Sequence, residues 1–98
     1  MALKSKAIVI NENDNVATAI MPLKVGATVP LEIKGKTEKV RLLSPIPMGH
    51  KFALRDIASG TDVIKYGEPI GKTIAPIARG EHVHVHNVIS HRGRREAA

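Results

Sequence analysis

Leu23-Lys24-Val25-Gly26-Ala27-Thr28-Val29 sets the pattern on which the fold is read: an apolar residue, two variable positions, glycine, two more, and a second apolar residue. The same frame returns at Ile46 to Phe52, Ile57 to Val63 and Ile77 to Val83, and Pro22, Pro45 and Pro76 precede three of the four. The starts lie 23, 11 and 20 residues apart, so this is no solenoid with a fixed period. It reads as a reused corner. The first apolar residue anchors a tight turn, glycine takes a positive φ without a Cβ clash, and the chain re-enters a strand whose first inward residue is the closing apolar one.

Between the corners the signal is short alternation. Val29, Leu31 and Ile33 alternate with Thr28, Pro30 and Glu32, then Val40 and Leu42 with Lys39 and Arg41. Lys34-Gly35-Lys36 separates the two runs and predicts a hairpin. Further strands are expected at 7–10, 16–19, 51–53, 63–66, 72–75 and 82–88, and Lys65-Tyr66-Gly67-Glu68-Pro69-Ile70-Gly71 reads as a turn with glycines on either side of its centre. No apolar stripe at helical spacing is sustained over eleven residues. The reading is mainly β, a small sandwich, barrel or folded ribbon whose edges need covering.

The 98 residues, 43% apolar and 24% charged, suit a single domain able to bury about 65% of its unfolded surface. Phe52 and Tyr66 are the two aromatics, so the core is aliphatic and a platform of stacked rings is disfavoured. Without cysteine, disulfides, thiolate zinc sites and cysteine nucleophiles are excluded. The net charge of +6 owes three units to Arg92, Arg94 and Arg95. With no helix-turn-helix or RNP-like segment, nucleic acid is not the expected partner. The apolar run 7–10 is too short for a signal-peptide core or a membrane span, so no membrane partner is expected and the default address is cytoplasmic. Residues 1–90 form the expected domain and 91–98 a basic, flexible tail. Residues 11–15, Asn-Glu-Asn-Asp-Asn, read as a polar loop.

His82, His84 and His86 alternate with Val83 and Val85. On an extended strand the three imidazoles share one face at intervals of about 6.6 Å, and the outer pair is roughly 13 Å apart. Two neighbours can reach one ion, and a complete site needs further ligands from elsewhere; a strand face that merely tolerates histidine is the alternative. Alternation also puts Lys51, Ala53 and Arg55 on one face and His50, Phe52 and Leu54 on the other. Lys51 and Arg55 suit a carboxylate, or form an ordinary solvated face. No nucleophile elbow, phosphate-binding glycine loop or dinucleotide fingerprint is present.

Residues 47–87 contain Gly49-His50-Lys51, Leu54-Arg55-Asp56-Ile57, Ile64-Lys65-Tyr66-Gly67, Ile70-Gly71, Ile77-Ala78-Arg79-Gly80 and His82-Val83-His84-Val85-His86-Asn87. This run resembles the N-terminal domain of the altronate and galactarate dehydratase family. The resemblance implies a SAF domain of β-clip fold, similar also to sialic acid synthase C-terminal domains and type III antifreeze proteins. It implies the small subunit of a metal-dependent lyase acting on a sugar acid, with Fe²⁺ or a similar divalent ion and a large catalytic subunit as partner, and it leaves homo-oligomers open. Under it His50 is expected to be catalytic, Lys51, Arg55 and Lys65 to bind the anionic substrate, and His82 and His84 to bind metal. The small subunit of sulfolactate sulfo-lyase is similar too, so the leaving group is water or sulfite. A non-catalytic binding or assembly module is the reading from another class.

Overall fold

In a computed structural model describing residues 6–90, all four corners turn through glycine at positive φ: Gly26 at 85°, Gly49 at 83°, Gly60 at 77° and Gly80 at 87°. The residues that open and close each corner are buried without exception. The corners also work in pairs, a relation the sequence spacing does not reveal. Leu23 and Ile46 exchange backbone hydrogen bonds of 2.9 Å in both directions, and Ile57 and Ile77 do so at 2.7 and 2.8 Å.

The strands are β1 (Ala7–Ile8), β2 (Val16–Ala19), β3 (Thr28–Ile33), β4 (Lys36–Arg41), β5 (Lys51–Ala53), β6 (Asp62–Lys65), β7 (Glu68–Thr73), β8 (His82–Val83) and β9 (Val88–Ser90). Among the described residues there is no helix, and so none long and apolar enough to cross a membrane. The expected tail, 91–98, lies outside the described residues.

A sheet of order β1-β2-β5-β8 divides the interior. Its antiparallel register puts Ala17, Phe52 and His82 in one row and Thr18, Lys51 and Val83 in the next. Neighbouring rows face opposite ways. One face therefore sends Ala7, Ala17, Ala19 and Phe52 into a cluster with Val29, Leu31, Ile33 and Val40 of the β3–β4 hairpin. The other sends Val16, Ala53 and Val83 against Ile57, Val63 and Ile77. Phe52 is the largest fully buried side chain, and its burial contributes about 2–3 kcal/mol.

Both hairpins cross at two-residue turns with two positive φ values, Lys34-Gly35 at 54° and 75° and Tyr66-Gly67 at 60° and 73°. This is the turn whose twist matches paired strands. β6–β7 gains a third strand, β9, along β7. Three strand expectations shift: 7–10 shortens to β1, while 63–66 and 72–75 both move toward the N-terminus, to Asp62–Lys65 and Glu68–Thr73. The fourth change matters for the site. The expected strand 82–88 is broken after Val83, and a turn carries the chain to a new strand at Val88.

Candidate metal centre

His50 follows the glycine of the second corner and stands one residue before β5. Gly49 N donates to Ala19 O at 2.8 Å and Ala19 N to His50 O at 2.9 Å, so the corner is stitched to β2 on both sides of the imidazole. His50 and Phe52 share a face by alternation, and the β5–β8 register puts His82 opposite Phe52 on that same face. His84 follows where the strand breaks.

The break has a local cause. Asn87 is 5% exposed. Its Nδ2 donates to His82 O at 2.8 Å, and its Oδ1 accepts from His84 N at 3.0 Å. Its own N–H donates to His84 O at 3.1 Å, while its carbonyl accepts from Ile74 N at 3.0 Å. Turning at this point leaves Val85 78% exposed rather than paired with Val83 on a buried face.

Three imidazoles converge as a result. The ring centroids of His50 and His84 are 4.0 Å apart, those of His50 and His82 5.1 Å, and those of His82 and His84 5.5 Å, all nearly parallel. His50 Nδ1 and His82 Nε2 share a hydrogen bond of 2.9 Å. One nitrogen from each of the three lies within 4.8 Å of the others. Nitrogens on a common ion stand roughly 3–4 Å apart given metal–nitrogen bonds of about 2.1 Å, so the spacing and chemistry of the donor set fit a divalent metal once the stacked rings turn their lone pairs toward one point. His86 comes back to 5.0 Å from His82, centroid to centroid, where a continuous strand would separate His82 from it by roughly 13 Å.

Electrostatics favour lone pairs here. Burial, then the neighbouring imidazoles of His86, His50 and His84, and then Lys51, hold His82 below the usual histidine range. Burial, His50, Lys51 and His86 do the same for His84. Neutral imidazole is the form that binds a metal.

Lys51 points from the other face of the sheet. Burial, and then Lys65, lowers its pKa. With His84, Ile70, Val83, Val88 and Ile89 it lines a cavity of about 320 Å³. Lys65 also stands 5.0 Å from the Tyr66 ring centroid. The alternation expected for Lys51, Ala53 and Arg55 does not persist, because β5 ends at Ala53 and the second core buries that residue. Arg55 falls in the following bend, exposed, and among the described residues no hydrogen bond or ion pair joins it to the imidazoles. The structure thus brings His50, His82 and His84 together, sets Lys51 in one cavity with His84 and Lys65 near Lys51, and leaves Arg55 apart.

Two polar residues were not legible as organisers. Asn87 reads as the end of a strand. Asp14, 2% exposed, reads as part of a bland loop, yet its carboxylate accepts from Asn11 N at 3.0 Å, Gly67 N at 2.8 Å and Tyr66 N at 3.3 Å. Asn15 adds a two-way link to β6, donating to Asp62 O and accepting from Ile64 N.

A clip of paired corners, with no helix among the described residues and with imidazoles gathered from two of the corners, defines a small β domain that carries a candidate metal site. The family model described as the altronate/galactarate dehydratase SAF domain matches residues 5–91, and the chain belongs to that family. It is 49% identical over 80 residues to altronate dehydratase of Escherichia coli, a match covering 82% of this chain and 15% of that protein. It is 49% identical over 53 residues to (2R)-sulfolactate sulfo-lyase subunit alpha of Chromohalobacter salexigens, covering 54% of this chain and 56% of that subunit. Galactarate dehydratase (L-threo-forming) of Escherichia coli is 37% identical over 75 residues, 74% of this chain and 13% of that enzyme. The chain therefore spans about a seventh of the dehydratases it matches.

Proposed function

We propose that this chain is the small subunit of a metal-dependent hydro-lyase acting on a sugar acid such as altronate or galactarate, with the main catalytic region in a separate large subunit. The observation that carries the proposal is the convergence of His50, His82 and His84 within 4.8 Å in a domain whose relatives are dehydratases. The sulfo-lyase relative supports the subunit arrangement, being itself named a subunit.

His82 and His84 are the proposed ligands of a divalent ion, Fe²⁺ in keeping with the family resemblance. Bound there, such an ion would supply Lewis-acid polarisation of a substrate oxygen. Lys51 and Lys65 present positive charge to the substrate carboxylate, and Arg55 serves as an outer cation. With His82 donating from Nε2 to His50 Nδ1, the other nitrogen of His82 keeps its lone pair for the ion. His50 then carries its hydrogen on Nε2, where it can be given to the departing hydroxyl to make water. The base that removes the proton next to the carboxylate resides in the large subunit. The isolated chain is accordingly inactive.

The test is reconstitution with the large subunit and either altronate or galactarate, scoring turnover and bound iron. His82→Ala and His84→Ala are expected to lower both by at least about 10-fold, whereas His50→Ala lowers turnover and retains iron. Vigorous dehydration by the 98 residues alone would defeat the divided site. Unchanged iron and turnover in the His82 and His84 variants would make the chain a binding or assembly module. The second reading, a sulfolactate sulfo-lyase small subunit, is favoured by the identity to that subunit, and sulfite release from (2R)-sulfolactate would establish it.

A further inference from the structure

Asn87 has no part in the proposed chemistry, yet all of its polar groups are spent on the two histidines and on Ile74 just past β7. Its side-chain amide bridges the two residues that flank Val83, donating to the carbonyl of His82 and accepting from the N–H of His84. Its backbone repeats the link to His84 and anchors the whole turn to Ile74. Asn87 is 5% exposed, and it is one of three buried polar residues among those described.

The alternative conformation of this segment is the one its sequence favours. Val83, Val85 and Val88 have high strand propensity, and a continuous strand would spread the imidazoles of His82 and His84 about 6.6 Å apart along one edge. In the structure His84 instead stacks on His50 at 4.0 Å, and His86 returns to His82 at 5.0 Å. A carboxamide is suited to this because one planar group both donates and accepts, closing the local turn in competition with a strand ladder. Buried polar groups of this kind are costly when half satisfied and specifying when fully satisfied.

We infer that Asn87 is the positioning residue of the imidazole cluster: its amide converts an alternating histidine strand into a turn and so brings His84 over His50. This rests on the proposed metal site for its consequence in binding, though not for the ring geometry itself. Outer groups that orient metal-binding histidines are commonly worth 10–100-fold in affinity.

The experiment uses the whole chain and Co²⁺ as probe. Asn87→Ala is expected to weaken Co²⁺ binding by about 10–100-fold and to alter the visible cobalt spectrum, while the thermal transition stays cooperative. The second readout needs no metal: a nuclear Overhauser contact between the ring protons of His50 and His84, present in the parent chain and lost in the variant. Parent-like Co²⁺ affinity together with a retained ring contact would overturn the assignment. If the parent chain binds no Co²⁺, the metal reading falls, and the ring contact alone decides the role of Asn87. If Asn87→Ala does not fold, Asn87→Asp replaces it. That variant keeps the acceptor for His84 N but sets a carboxylate oxygen against the His82 carbonyl, so the His50–His84 contact should weaken; an unchanged contact there would equally overturn the assignment.

Discussion

Glycines at equal φ are not equally replaceable, and two corners show why. A Cβ on Gly80 would overlap the carbonyl oxygen of Arg41, whereas one on Gly26 would meet nothing within 4 Å. Both positions are left-handed, at 87° and 85°, so alanine carries the conformational cost of about 1 kcal/mol at either. At Gly80 the overlap is added to it, and the backbone cannot yield freely because Gly80 also donates to Ala53 O and accepts from Leu43 N. Gly80→Ala is expected to cost at least about 2 kcal/mol, lowering Tm by roughly 10 °C, and Gly26→Ala about half as much. Thermal denaturation of the two variants side by side checks the ranking. The need for glycine in each corner is legible from the repeated frame. The difference between them is not, because the Arg41 carbonyl is 39 residues away along the chain.

Hairpins and turns obey the same division between local and distant causes. Lys34-Gly35 predicts its own reversal, and β3–β4 pairs over six residues in unbroken register. Tyr66-Gly67 makes the corresponding turn in β6–β7, but Tyr66 is not glycine and its positive φ is uncommon. Asp14 holds it there by accepting from both amides of the turn. Asp14→Ala should therefore cost about 1–3 kcal/mol and accelerate amide exchange in β6–β7 selectively, leaving β3–β4 as it is. Equal acceleration in both hairpins would show that the clamp is not local. The histidine run illustrates a failure of periodicity. Residues 82–88 alternate as a strand should, and the turn that replaces it depends on Asn87 finding a place beside Ile74. His50 joins the cluster from 32 positions earlier, through a strand pairing that no spacing rule supplies.

On the scale of the molecule, the cluster makes stability depend on pH with a definite sign. His82 and His84 are held below their ordinary values by burial first and by neighbouring positive charge second. The unfolded chain therefore takes up protons at these positions before the native one does. The associated stability is fully present above the unfolded histidine value of about 6.5 and is lost as the pH falls through the lower native values. Denaturant titrations at stepwise lower pH should show the midpoint declining below about 6.5. Replacing His82 and His84 together by glutamine should flatten that decline, and an unchanged slope in the double variant would locate the proton uptake elsewhere. The β class, the corners and the two hairpin tips could all be foreseen. The common wall between two cores could not, since alternation in a three-residue strand suggests one wet side.

That wall leaves the domain without a severable half. Phe52 and Ala53 are adjacent in sequence but belong to different hydrophobic clusters, so dismantling either compartment strips one flank of the same three residues, and the imidazole beside them at His50 loses its mounting in both cases. Cutting the chain between its first and second pair of corners would not yield two smaller working pieces: the first cluster lies wholly within residues 7–54, whereas the second takes Val16 and Ala53 from one fragment and Ile57, Val63, Ile77 and Val83 from the other.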